Sequence, residues 1–89
     1  MSRMFITHNV VDVDQWLGFK DERAGAVASL GGSQVVDYVA QDGSNAVAIG
    51  ADVKDVEAVL AGLAAAPPEL RDAMDRHGVL APITIYVEK

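Results

Sequence analysis

Apolar residues along this chain alternate between two spacings, one suited to strands and one to helices. From Arg3 to Val10 the run Arg-Met-Phe-Ile-Thr-His-Asn-Val is rich in β-formers and bounded by Asp12, which predicts a first strand. Asp12 or Asp14 can then cap a helix. Between Val13 and Leu30 the period lengthens, since Val13, Trp16, Val27 and Leu30 recur at helical spacing, with Phe19 on one flank and Leu17 and Ala24 on the other. Gly31-Gly32 closes that helix. Residues Gln34 to Gln41 and Ala46 to Ala51 return to β-formers around Asp42-Gly43-Ser44-Asn45, a hairpin signal. Asp52 is the expected cap of a second helix, whose stripe of Val56, Val59, Leu60 and Leu63 fades into three alanines before Pro67-Pro68. Pro68 suits the first turn of a further helix with Leu70, Ala73, Met74 and His77 on one face and Gly78 as its stop. Ile83 to Val87, after Pro82, reads as the last strand.

The order is strand, helix, strand, strand, helix pair, strand. It predicts an α+β fold of the ferredoxin-like βαββαβ kind, a four-stranded antiparallel sheet with helices on one face, as a single domain over residues 1–89. The sheet is partly apolar on both sides. Met4 and Ile6 share one face of the first strand and Phe5 takes the other, while Ile83, Ile85 and Val87 alternate with Thr84 and Tyr86. A second copy of the chain is therefore expected to cover the bare face.

Composition narrows the functional classes. The 89 residues are 51% hydrophobic, which fits a folded domain and excludes a disordered acidic tail. A chain this short buries little surface, and without cysteine it has neither disulfides nor thiolate metal ligands, which strengthens the case for a homodimer. The net charge of −6, with scattered basic residues, argues against nucleic acid as a partner. No apolar run reaches membrane-span length and the N-terminus lacks a signal-peptide core, so the expected location is the cytoplasm and no membrane partner is foreseen.

One set of residues resembles a known superfamily: His8-x-Val10-x-Asp12 with Trp16, then Pro68-Glu69-Leu70, Met74, Gly78-Val79, Pro82 and Tyr86-Val87-Glu88. It is similar to the small dimeric α+β barrel proteins, which include antibiotic-biosynthesis monooxygenases, muconolactone isomerase and stress-responsive barrel proteins. The resemblance implies that bare sheet faces pair into a shared barrel, with a ligand cavity between sheet and helices in each subunit. Monooxygenases and haem degraders of that superfamily use an asparagine, a tryptophan and, in the haem group, a helix histidine. Asn9 and His77 match two of these placements. Trp16 departs, standing on the first helix rather than on a central strand, which argues against haem degradation and leaves quinone-forming oxygenation open.

The candidate chemistry centres on two histidines. His8, in an apolar strand, can serve as a general base or simply bond a backbone carbonyl. Because strand side chains alternate, His8 and Asn9 cannot share one cavity unless the strand is bulged, and His8 is preferred. His77 lies on a buried stripe at a helix C-terminus, where the dipole favours the protonated ring; it is either a catalytic acid or, as the commoner role, a cap on the last carbonyls. Trp16 is read first as core and second as a wall for a flat substrate, with Phe19 and Met74 shaping the pocket. Arg23 can reach a carboxylate or enolate at the cavity mouth, and Tyr38 and Tyr86 carry hydroxyls that could meet a ligand carbonyl. Asp52, Asp55, Glu57, Asp72 and Asp75 read as caps and solvated surface. Two distant histidines make no metal site, Gly31-Gly32 follows a helix rather than a strand and so makes no phosphate loop, and no cofactor is called for. Two functions remain. One is proton abstraction from a small aromatic or polyketide-like molecule for oxygenation, cyclisation or isomerisation; the other is a non-catalytic ligand-binding or stress-responsive dimer.

Overall fold

The computed structural model describes residues 2–89. Four strands, β1 (Ser2–Val10), β2 (Gly32–Val39), β3 (Ala46–Val53) and β4 (Val79–Val87), form one antiparallel sheet in the order β2-β3-β1-β4. Four helices, α1 (Val13–Leu17), α2 (Lys20–Ser29), α3 (Val56–Ala65) and α4 (Pro68–His77), complete the ferredoxin-like α+β order. Met4, His8 and Val10 of β1 and Val47, Ile49, Ala51 and Val53 of β3 are buried on the helix side. The opposite side carries the paired rows Tyr86, Phe5, Gly50, Val36 and Thr84, Thr7, Ala48, Tyr38. Val36, Tyr38 and Tyr86 are exposed there.

Three element boundaries differ from the sequence reading, each for a local reason. The single helix expected from Val13 to Leu30 is broken at Gly18-Phe19, where the Phe19 N–H donates to the Trp16 carbonyl 3.2 Å away and tightens the last turn of α1. That carbonyl also accepts from Arg23 Nη2 at 3.0 Å, a second partner at the break. Asp52 does not cap α3. It stays in β3 and pairs with Arg3 at 2.8 Å, while Asp55 takes the cap and accepts the Ala58 N–H at 3.1 Å. Strand β4 starts at Val79 rather than Ile83 and includes Pro82. An edge strand tolerates a residue without an N–H, and the pairing with β1 shifts here, so that residues 81–83 lie opposite His8 alone.

Close approaches explain how the helices are set. A Cβ on Gly32 would sit 2.5 Å from Val27 Cγ1, so only glycine lets β2 leave α2 this tightly. The expected stop at Gly78 is present, at φ 77°, with its N–H bonded to the Asp75 carbonyl at 3.1 Å. Its carbonyl accepts from Val11 N–H at 2.9 Å, tying the end of α4 to the end of β1. A Cβ on Gly78 would meet only ordinary contacts, the nearest 3.5 Å away at Val11. Gly78→Ala is therefore expected to lose about 1 kcal/mol through backbone strain alone, read as a lower urea midpoint at unchanged slope.

Candidate functional site

A cleft of about 630 Å³ lies between the helix side of the sheet and the helices. Most of its wall is aliphatic, from Met4 and Ile6 of β1 to Leu60 and Leu63 of α3, Leu70 and Met74 of α4, and Ile85 of β4. Besides the exposed Arg71, four residues make its polar part: His8, Trp16, Arg23 and His77. All four are buried, Trp16 completely.

Arg23 organises this group. Its Nε and Nη2 donate to the two carboxylate oxygens of Asp37 at 3.1 and 2.8 Å, a bidentate pair in which both side chains are at most 5% exposed. The guanidinium carbon stands 3.9 Å from the centroid of the Trp16 ring and covers one face of the indole. Nη1 reaches His77 Nδ1 at 3.4 Å. One cation thus joins α1, α2, β2 and α4.

The two histidines are held in defined tautomers. A carbonyl only accepts, so His8 Nδ1 donates to the Asn9 carbonyl at 3.0 Å and the neutral ring keeps its lone pair on Nε2. Burial pushes the His8 pKa below its ordinary value and the nearby Arg23 charge pushes it the same way, against the Asn9 bond. For His77 the Arg23 N–H donates to Nδ1, which puts the neutral ring's proton on Nε2. That N–H is buried and 3.6 Å from Glu22 Oε1, beyond hydrogen-bond reach. Phe19 stacks on the ring with centroids 4.5 Å apart. The Trp16 Nε1–H is also buried without a partner among the described residues. No group of three His, Cys, Asp or Glu side chains among the described residues is placed to hold a metal ion.

No family model and no curated protein matches the chain. Solved structures do. A structure of an antibiotic biosynthesis monooxygenase aligns with 100% of this chain and 97% of its own at a TM-score of 0.66 and 11% identity. A dimeric ferredoxin-like protein from an uncultured marine organism aligns with 98% of this chain and 92% of its own, at 0.60 and 7%. A candidate antibiotic biosynthesis monooxygenase from Deinococcus radiodurans gives 97% and 90%, at 0.59 and 17%. This chain has their ferredoxin-like fold. At such identities the likeness speaks for the fold alone.

The ferredoxin-like sheet sorts the candidate residues sharply. His8, Trp16, Arg23, Met74 and His77 meet at the cleft. Asn9 does not, because β1 keeps its register with β3 through Thr7, His8 and Asn9, and alternation turns Asn9 to the bare face. The irregularity that could have brought it inside is accommodated by β4 instead. Tyr38 and Tyr86 share that bare face, where Tyr38 packs on Phe5 with ring centroids 5.8 Å apart. Phe19 sits behind His77 rather than in the cleft wall. The expected cap role of His77 is not seen: the Arg76 carbonyl accepts from Gln15 Nε2 at 2.9 Å, and Gly78 supplies the other bond. Nor is its ring held protonated. Burial, then the Arg23 charge, lower its pKa, outweighing Glu22.

Asp37 is the residue that reading the sequence missed. Its signal was a carboxylate on the buried phase of a strand, between Val35 and Val39. Removing it strands a buried guanidinium, so Asp37→Ala is expected to lose about 3–5 kcal/mol in chemical unfolding. The joint replacement Arg23→Met with Asp37→Leu should recover most of that loss, and a double-mutant cycle measures the coupling.

Proposed function

We propose that this chain is a homodimeric small-molecule-binding protein that removes a proton from a bound substrate, with His8 as the general base. The observation that carries the reading is the tautomer of His8. Its Nδ1–H is fixed on a backbone carbonyl, which leaves the Nε2 lone pair as the base of a largely apolar cleft. A base with a lowered pKa is unprotonated at neutral pH, and a dry surround strengthens its interaction with an acidic C–H or phenol. Neither the Trp16 Nε1–H, which has no accessible surface, nor Arg23, whose fork Asp37 already occupies, is free to meet the oxygen on which charge develops.

That engagement of Arg23 also favours a second reading, in which the cleft binds a ligand without turning it over. Deuterium exchange separates the two. Enolisable ketones, aromatic and aliphatic, incubated with the protein in deuterium oxide should gain deuterium at the carbon beside the carbonyl. His8→Gln should reduce that rate at least about a hundredfold, the ordinary contribution of a general base. The rate should hold level at neutral pH and fall on acidification through the lowered His8 pKa, placing the acid limb below 6.5. Binding without exchange in the unaltered protein would leave the non-catalytic reading.

The dimer is supported by the bare sheet face, where Val36 and Tyr38 are each 42% exposed and Tyr86 is 57% exposed beside Phe5. Sedimentation should give about twice the 9.4 kDa chain mass. Val36→Glu should return it to the mass of one chain, since a charge on that face has no partner when buried.

A further inference from the structure

The reading above places a base in the cleft but does not say what molecule fits around it. The wall does. Trp16 is the one indole or phenyl side chain among the lining residues and is completely buried, with Arg23 on one face of its ring at 3.9 Å, while Phe19 stacks on the His77 ring. A flat ligand has no free aromatic face to stack on. The remaining wall is leucine, isoleucine, valine, methionine and alanine, which favours a flexible alkyl body over a rigid ring system.

Charge limits the head group. The Arg23 cation is neutralised by Asp37, so a carboxylate brought beside it would enter an apolar cleft without a partner of its own. The other cation on the wall, Arg71, lies on the exposed side of α4, where water screens what it can offer an anion. The Trp16 Nε1–H has no accessible surface and offers a ligand nothing, so the polar end presents the neutral His8 ring with its Nε2 lone pair. A hydroxyl, or the acidic carbon beside a carbonyl, meets it at no cost in charge.

We propose that the cleft takes an uncharged, mainly aliphatic molecule with one carbonyl or hydroxyl oxygen, seated with the hydroxyl, or the carbon beside the carbonyl, toward His8 Nε2. The inference rests on the reading above for the place of the site and adds the class of its ligand.

The test uses the whole chain and three matched probes, methyl nonyl ketone, decanoate and methyl naphthyl ketone, by titration calorimetry at mildly alkaline pH. Methyl nonyl ketone is expected to bind at least about tenfold more tightly than either of the others. Tighter binding of the naphthyl ketone overturns the ligand class, as does binding of decanoate at equal affinity that is lost in Arg71→Gln, or no binding of methyl nonyl ketone up to its solubility. Deuterium exchange keeps the two proposals apart. Methyl nonyl ketone that binds tightly but exchanges no faster than with His8→Gln removes the base and keeps the ligand class. His8-dependent exchange confined to the naphthyl ketone does the reverse.

Discussion

The contact between Arg23 and Asp37 is the one on which the arrangement of the site depends. An arginine stays charged at any ordinary pH, so burying it requires a partner that is equally buried and correctly forked. Asp37 meets both conditions from the middle of β2, and Arg23 reaches it from α2. The same guanidinium then accounts for features that look unrelated in sequence. It satisfies the Trp16 carbonyl at the break between α1 and α2, covers the indole, and bonds the ring of His77 at the far end of α4. A buried ion pair contributes little net stability compared with a well-packed apolar pair. What it provides here is placement: four elements are held in one geometry because a single charge has no alternative partner.

Most of the fold was legible because the apolar periods along the chain are clean. The strand alternation of β1 and the stripe of α3 gave their elements directly, and Gly78 marked the end of α4. The boundaries that shifted did so where side chains from distant segments decided the outcome. Asp52 is as good a cap as Asp55 in a local reading, and only the presence of Arg3 across the β1 and β3 pairing keeps it in the sheet. At the break at Gly18-Phe19, Arg23 likewise adds a bond from a distant side chain to the Trp16 carbonyl.

The site was legible in part, for a related reason. Alternation along β1 correctly separates His8 from Asn9, and helical spacing brings Trp16, Met74 and His77 to the sheet. The tyrosines could not be assigned to the cleft or the bare face without knowing the register of their strands. Asp37 escaped notice because a lone carboxylate in a strand usually faces water, and its partner is 14 residues earlier on another element. The state of His77 was misjudged because the helix dipole is visible in sequence, whereas the burial and the cation that oppose it are properties of the folded chain.

These placements bear on the kind of chemistry the cleft can support. A strong electrophile beside the base would suit weakly acidic carbons, but the Arg23 charge is already spent on Asp37 and the Trp16 N–H is sealed from the cleft. The proposed proton abstraction by His8 would then run without a cation to stabilise the enolate. The same neutrality keeps His8 usable. Arg23 without Asp37 would place a bare cation near the imidazole and lower its pKa further, leaving a weaker base. Burial is the larger cause of the lowered His8 pKa and the Arg23 charge adds to it, so the guanidinium that ties the helices to the sheet also helps to keep the imidazole unprotonated in an apolar cleft.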